Sequence, residues 1–340
     1  MFIDILVFAF FFVISLALMH NFKDESSKVE NNYSIVIPVR NEEKHLKTLF
    51  KYLNKIEYPD DKFEIILVDD ASKDRSLELI RKYAVKKNVD FISLNEEDRK
   101  FKGKKSALQK GIEKTKFDHI LFTDADCMPP RNWLSKMNQY MILGVSMVVG
   151  YSPEKTHSKF RRFSQLFSAA MYAVTIGLGF PFSCSGRNLA IRKDSFRQVG
   201  GFKKIKEYES GDDKLLLNLF RENDKVIVYN PEAPVYTKPA YNEKEQSKRR
   251  YGKFSMSSNL IRIVQILILV YFIYLPASIL FNPQSIIIYF LGMLLLWISN
   301  LIKHKEKFEY IDLVYFFVYP YYLIFYSFLG NIKGWKWKNN

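Results

Sequence analysis

Apolar positions fall into three regimes along the 340 residues. Residues 2–19 form one apolar run broken only by Asp4 and Ser15, and apolar density returns from 261 to the end. Between them, short apolar runs alternate with amphipathic stretches in a Lys-rich body. The runs at 34–39, 63–68, 89–94, 119–123 and 147–151 read as buried strands, with shorter extended segments at 185–192 and 226–229. Residues 45–53 carry Leu46, Leu49, Phe50 and Leu53 at helical spacing, and 76–83, 104–114 and the stretch opened by Gly211-Asp212-Asp213-Lys214 are predicted helices as well. Strand-helix alternation at this spacing implies right-handed βαβ units, and hence an α/β, Rossmann-like fold with a mostly parallel sheet. Ligands of such sheets bind beyond the carboxyl ends of the strands.

The outer regimes read as membrane segments. Residues 1–20 form an anchor barely long enough to span a bilayer, with neither the basic start nor the small-residue cleavage site of a signal peptide. A polar linker, 21–32, follows. The body at 33–255 forms the folded domain between them, and 261–330 a membrane region of two to three spans: 261–281, 285–301 and 311–329, the last bent at Pro320. Basic residues crowd the loop around Lys303 and Lys305 and the central body, and both belong on the cytoplasmic side. An outside amino terminus and four spans satisfy both demands, which makes this an integral protein of the plasma or inner membrane. The tail with Lys333, Lys336 and Lys338 then ends outside, against the charge rule, so an interfacial last segment is the alternative. Residues 163–182 carry no charge, yet a span there would split the body across the bilayer; a helix at the interface or under the sheet is expected instead.

Composition narrows the partners. A formal charge of +15 fits anionic lipid headgroups or a phosphorylated substrate, and no nucleic-acid-binding signature accompanies it. Two cysteines, Cys127 and Cys184, form no disulfide framework or metal spacing and agree with a reducing compartment.

Candidate chemistry centres on the run from Ile120 to Pro130. In an extended segment Asp124 and Asp126 share one face. Two carboxylates so placed repel unless a cation lies between them, and hard oxygen ligands suit Mg2+ or Mn2+. Asp69 and Asp70 end the strand before them and should line the same crevice.

Taken in order, IVIPVRNEE, VDDAS, GKKSAL, TDAD, SGRNLAIRK, GGF and SGDDK resemble a membrane-bound family 2 glycosyltransferase of GT-A fold, the group of cellulose, chitin and hyaluronan synthases and ceramide glucosyltransferase. The resemblance covers residues 34–253. It implies that Pro38, Arg40, Glu42, Asp69, Asp70, Lys104 and Asp124 border the nucleotide. It further implies that Asp126, with Asp124, holds Mg2+ or Mn2+ against the donor diphosphate. Gly186, Arg187 and Asn188, with Gln246 and Arg249, become acceptor or diphosphate contacts. Asp213, beside Asp212, becomes the base. The implied reaction is transfer of a sugar, with inversion, from a nucleotide-sugar donor, UDP-linked by expectation, to a lipid-linked or membrane-delivered glycan acceptor.

One departure matters. The family's Q-x-x-R-W reads here Gln246-Ser247-Lys248-Arg249-Arg250, with arginine in place of the tryptophan that floors the acceptor site. This disfavours a processive polysaccharide synthase. The intact acidic motifs disfavour a non-catalytic scaffold.

Overall fold

A computed structural model describes residues 2–23, 30–208, 210–239 and 259–332. The chain packs into two units, Met1–Leu16 with Thr156–Ser164 and Pro239–Asn340, and Ala17–Lys155 with Gln165–Lys238.

In chain order the elements are α1 (Phe2–Met19), β1 (Tyr33–Val39), α2 (Glu43–Leu53), β2 (Phe63–Asp70), α3 (Ser76–Tyr83), β3 (Val89–Leu94), α4 (Lys105–Lys114), β4 (His119–Phe122), β5 (Cys127–Met128), α5 (Trp133–Asn138), β6 (Val145–Gly150), α6 (Lys159–Gly177), β7 (Leu189–Arg192), α7 (Lys193–Gln198), α8 (Asp212–Glu222), β8 (Val226–Asn230) and β9 (Tyr236–Thr237). Three further helices follow, Asn259–Phe281, Gln284–His304 and Ile311–Ile332.

The second unit is built on a seven-stranded sheet of order β3-β2-β1-β4-β7-β6-β8. β1 pairs in parallel with β2 and β4, and β2 with β3. β1 and β2 are buried on both faces, which explains their unbroken apolar runs. Leu46, Leu49 and Leu53 turn one face of α2 into the core. On the other face α4 lies close to the sheet: a Cβ at Gly111 would come within 2.3 Å of Val36 Cγ1, so only glycine fits there. β4 pairs with β1 only as far as Val36, and Pro38, which lacks an N–H, stands past that point.

Two features place the site. Strand order reverses between β1 and β4, which opens a crevice at the carboxyl ends of β1, β2 and β4. β7 runs antiparallel to both β4 and β6. Its amino end therefore reaches that same edge, carrying Gly186 and Arg187 with it. The small β5-β9 sheet lies just past Asp126.

In the other unit, α1 and the three carboxy-terminal helices fill the stretches read as membrane segments. Among the described residues two helices are long and apolar enough to cross a membrane, Gln284–His304 and Ile311–Leu329, while the apolar parts of the others, Asp4–Met19 and Ile266–Ser278, are shorter. Within this unit, the buried Asp4 carboxylate accepts hydrogen bonds from Ser285 Oγ (2.6 Å) and Asn282 Nδ2 (3.0 Å). The fully buried Asp312 accepts from Trp297 Nε1 at 3.0 Å and pairs with Arg162 at 3.4 Å. A Cβ at Gly292 would meet Phe11 at 2.3 Å, so these helices touch closely. The uncharged stretch at 163–182 lies mostly in α6, which starts earlier, at Lys159.

Candidate active site

The carboxyl end of β2 supplies the first acids. Asp69 is 1% exposed; its Oδ2 accepts the Ser72 N–H at 3.3 Å, while Oδ1 has no partner. A buried carboxylate oxygen without a donor is costly, and a ligand N–H or O–H would satisfy it. Asp70 is equally buried but engaged: Arg99 Nε lies 3.0 Å from Oδ1 and Arg40 Nη1 3.9 Å from Oδ2. Burial pushes the Asp70 carboxyl above its ordinary range, and the two guanidiniums only partly offset this. Arg40 also donates to the Asp70 carbonyl at 2.8 Å and meets Glu96 at 3.0 Å. Glu42 lies one turn away, its Oε2 2.6 Å from His45 Nδ1.

The end of β4 differs from the expected geometry. The strand stops at Phe122, and Ala125 and Asp126 form a turn in which the Cys127 N–H donates to the Asp124 carbonyl at 3.2 Å. Asp124 and Asp126 therefore do not share a face through strand alternation; the turn brings them near each other instead. Burial, then the charge of Asp124, pushes the Asp126 carboxyl up, with Arg187 partly offsetting both. The pair has the chemistry of a half-built divalent-cation site: two hard oxygen donors whose repulsion a cation would relieve. Among the described residues no group of three His, Cys, Asp or Glu side chains gathers to hold a metal. Ligand oxygens and water would have to complete the shell, as is usual for Mg2+.

Lys104 joins the distant parts. It stands at the amino terminus of α4, and its Nζ lies 2.8 Å from Asp124 Oδ1 and 3.5 Å from Asp212 Oδ2. Burial alone would lower its pKa, but Asp124, Asp212 and Asp213 outweigh that and hold the ammonium above its ordinary range. Asp212, in turn, is pushed up by burial; Lys104 opposes the shift and the neighbouring carboxylates Asp213 and Asp124 add to it.

Asp213 occupies the first turn of α8, which Gly211 opens in the left-handed region at φ 82°. Its Oδ2 accepts the Gly186 N–H at 3.0 Å and its Oδ1 the Lys214 N–H at 2.8 Å. Lys104, Asp124, Gly186, Asp212 and Asp213 line one cleft, floored by Phe122 and Leu216. Burial raises the thiols of Cys127 and Cys184, with the adjacent carboxylates adding to it, so neither is a nucleophile at neutral pH.

The structure thus gathers Lys104, Asp124, Gly186, Asp212 and Asp213, and groups Pro38, Arg40, Glu42, Asp69 and Asp70 at neighbouring strand ends. Arg187 reaches sideways, donating to the Ser152 carbonyl at 3.1 Å and Ser185 Oγ at 3.1 Å. Asn188, expected to meet acceptor or diphosphate, is turned inward instead. It is fully buried, both amide ends engaged, because the strand it precedes must be tied to its neighbours. Gln246 and Arg249 lie outside the described residues. Sequence reasoning missed Arg99, the closer cation on Asp70; it follows Asp98 in an irregular charged loop whose pattern gives no sign of it.

Comparison with known proteins bears on the fold and the family. The model of glycosyl transferase family 2 matches residues 34–200, and that of glycosyl transferase family group 2 matches residues 119–329. The probable glycosyltransferase YdaM of Bacillus subtilis is 26% identical over 52% of this chain and 44% of its own. Glycosyltransferase AglE of Haloferax volcanii is 27% identical over 50% of this chain and 55% of its own. The undecaprenyl-phosphate 4-deoxy-4-formamido-L-arabinose transferase of Pectobacterium atrosepticum is 34% identical over 38% of this chain and 40% of its own. The chain spans about half the length of the curated relatives it matches. Among solved structures, mannosyltransferase PcManGT of Pyrobaculum calidifontis, in complex with GDP-Man and Mn2+, superposes with a TM-score of 0.60 at 16% identity, over 97% of this chain and 98% of that one. At that identity the likeness speaks for the fold alone, which is GT-A.

Proposed function

Since the chain belongs to the family 2 glycosyltransferases, we propose that it transfers a sugar from a nucleotide-sugar donor to a lipid-linked or membrane-associated acceptor, with inversion. The observation that carries this reading is the bridge made by Lys104 between Asp124 and Asp212, acids from opposite halves of the domain that share one cleft.

In this reading the nucleoside lies against the ends of β1 and β2, where the unpartnered Asp69 Oδ1 awaits a donor from base or ribose. Lys104 faces the diphosphate as a point charge. Asp126 and Asp124 would hold a divalent cation, Mg2+ or Mn2+, which when bound neutralises charge on the departing nucleoside diphosphate. PcManGT in complex with GDP-Man and Mn2+ supports that expectation.

Asp213 is the base. Two backbone N–H groups fix its carboxylate at the amino terminus of α8, where the helix dipole favours negative charge. It takes the proton of the acceptor hydroxyl as that oxygen attacks the anomeric carbon and the bond to the diphosphate breaks on the opposite face. Among the described residues of the cleft, Asp124 and Asp212 are paired with Lys104, which leaves Asp213 to act alone and favours one displacement and hence inversion.

The acceptor assignment draws on the apolar helices and on relatives named as undecaprenyl-phosphate sugar transferases. Within the helical unit, Arg162 pairs with Glu306, in the loop between the last two helices, at 3.6 Å and with Asp312, in the first turn of the last helix, at 3.4 Å. This contact supports placing that loop on the side of residues 156–164, the cytoplasmic side by the charge rule.

The test is nucleotide release by purified, detergent-solubilised protein across a panel of UDP- and GDP-sugars, with and without a polyprenyl-linked sugar acceptor that presents a free hydroxyl. Acceptor-stimulated release that is lost in Asp213→Asn and Asp126→Ala is expected. Turnover unchanged in both variants, or no turnover with any donor, would overturn the reading.

A further inference from the structure

We propose that Asn188 is a positioning residue that fixes the spacing between the Asp126 and Asp213 sides of the cleft. The proposal rests on the glycosyl-transfer reading above.

The Asn188 side chain is fully engaged. Its Nδ2 donates to the carbonyls of Tyr151 (2.9 Å) and Ala233 (2.8 Å), and its Oδ1 accepts from Trp133 Nε1 at 2.8 Å. Both amide protons are therefore spent. Its own carbonyl accepts the Gly150 N–H at 2.7 Å. Asn188 and Trp133 are both fully buried. The fit is tight enough to dictate residue 150: a Cβ there would lie 2.3 Å from Asn188 Nδ2, so glycine is the counterpart of the amide.

The positions it joins matter more than its burial. The Tyr151 carbonyl that receives Asn188 also accepts the Val235 N–H at 3.0 Å, and Pro153 accepts the Thr237 N–H at 3.0 Å. Thr237 pairs with Cys127, the residue after Asp126. That path leads to the acidic pair. In the other direction, Gly186, two residues upstream, holds Asp213 Oδ2 at 3.0 Å, and Arg187 between them donates to the Ser152 carbonyl at 3.1 Å. One neutral amide thus ties the strand ends that carry both halves of the site. It acts through Gly186 and through the Tyr151–Pro153 segment, not on a substrate.

The test uses the full chain in detergent, with donor hydrolysis in water and acceptor-dependent transfer measured separately. In Asn188→Ala, transfer is expected to fall at least thirtyfold while donor KM stays within threefold and hydrolysis within fivefold, because the donor half remains intact and only its alignment with Asp213 is lost. Gly150→Ala should produce the same split by pushing the amide aside. Gly150→Ala combined with Asn188→Ala should be no worse than Asn188→Ala alone, since the clash is gone. If Asn188→Ala does not fold, Trp133→Phe, which removes one of the three side-chain bonds, should lower transfer about tenfold at unchanged donor KM. A folded Asn188→Ala, or failing that Trp133→Phe, with transfer within threefold of native overturns the proposal, as does parallel loss of hydrolysis and transfer. A native chain that turns over no donor overturns the glycosyl-transfer reading and this inference together.

Discussion

The backbone N–H of Gly186 donates to Asp213 Oδ2 at 3.0 Å, and a Cβ added at Gly186 would stand 3.4 Å from Asp213 Cβ and 3.7 Å from Lys104 Nζ. The two residues come from different segments, the approach to β7 and the first turn of α8, and each fixes the other.

Gly186→Ala should separate stability from activity. The added methyl makes ordinary van der Waals contacts, so the melting temperature should move by no more than a surface substitution would cause, about 0.5 kcal/mol. The same methyl enters the cleft between Lys104 and Asp213. Transfer should therefore drop about tenfold or more, as read by acceptor-stimulated nucleotide release beside a thermal melt.

Lys104→Met removes the cation shared by Asp124 and Asp212. Donor KM should rise at least about tenfold, roughly 1.4 kcal/mol of binding. Lys104→Arg keeps the charge but not the point-like ammonium, and should recover only part of it. Isothermal calorimetry with the nucleoside diphosphate gives the same comparison without turnover.

Arg99→Gln should give a pH-dependent loss of stability. Asp70 is raised in the folded chain, so its contribution is fully present below the ordinary carboxylate range near 4 and is lost as pH rises through the raised value. Without Arg99, the larger of the two offsetting charges, the carboxyl rises further. The drop in melting temperature should therefore be greater at pH 8 than at pH 5. Equal drops at both would remove the electrostatic account.

Chelation should stop transfer, and Mn2+ or Mg2+ should restore it in the native chain but not in Asp126→Ala. Metal-free Asp126→Asn should also melt higher than metal-free native protein at pH 8. Burial and the neighbouring Asp124 raise the Asp126 carboxyl, so its ionised form costs stability that the amide avoids. The difference should shrink as pH falls through the raised value of the native carboxyl.

What the sequence determined is what local periodicity can encode. Helix α3 and strand β3 fall where spacing alone put them, and β2 runs on through Asp69 and Asp70, so both acids stand at a strand end as expected. The order of the motifs was enough to identify the family. Tertiary structure decided the rest, because it turns on pairings between positions far apart in the chain. Period-two alternation suggested a shared face for Asp124 and Asp126, whereas β4 ends at Phe122 and a turn sets their relation. Nothing local announces that β7 inserts antiparallel between β4 and β6 and so delivers Gly186 to Asp213. Asn188 sits in a motif that reads as ligand-facing, yet three buried partners from α5, the end of β6 and the stretch after β8 claim its amide. A side chain's propensity is written in its own neighbourhood; its partner is fixed only once the strands have chosen their register.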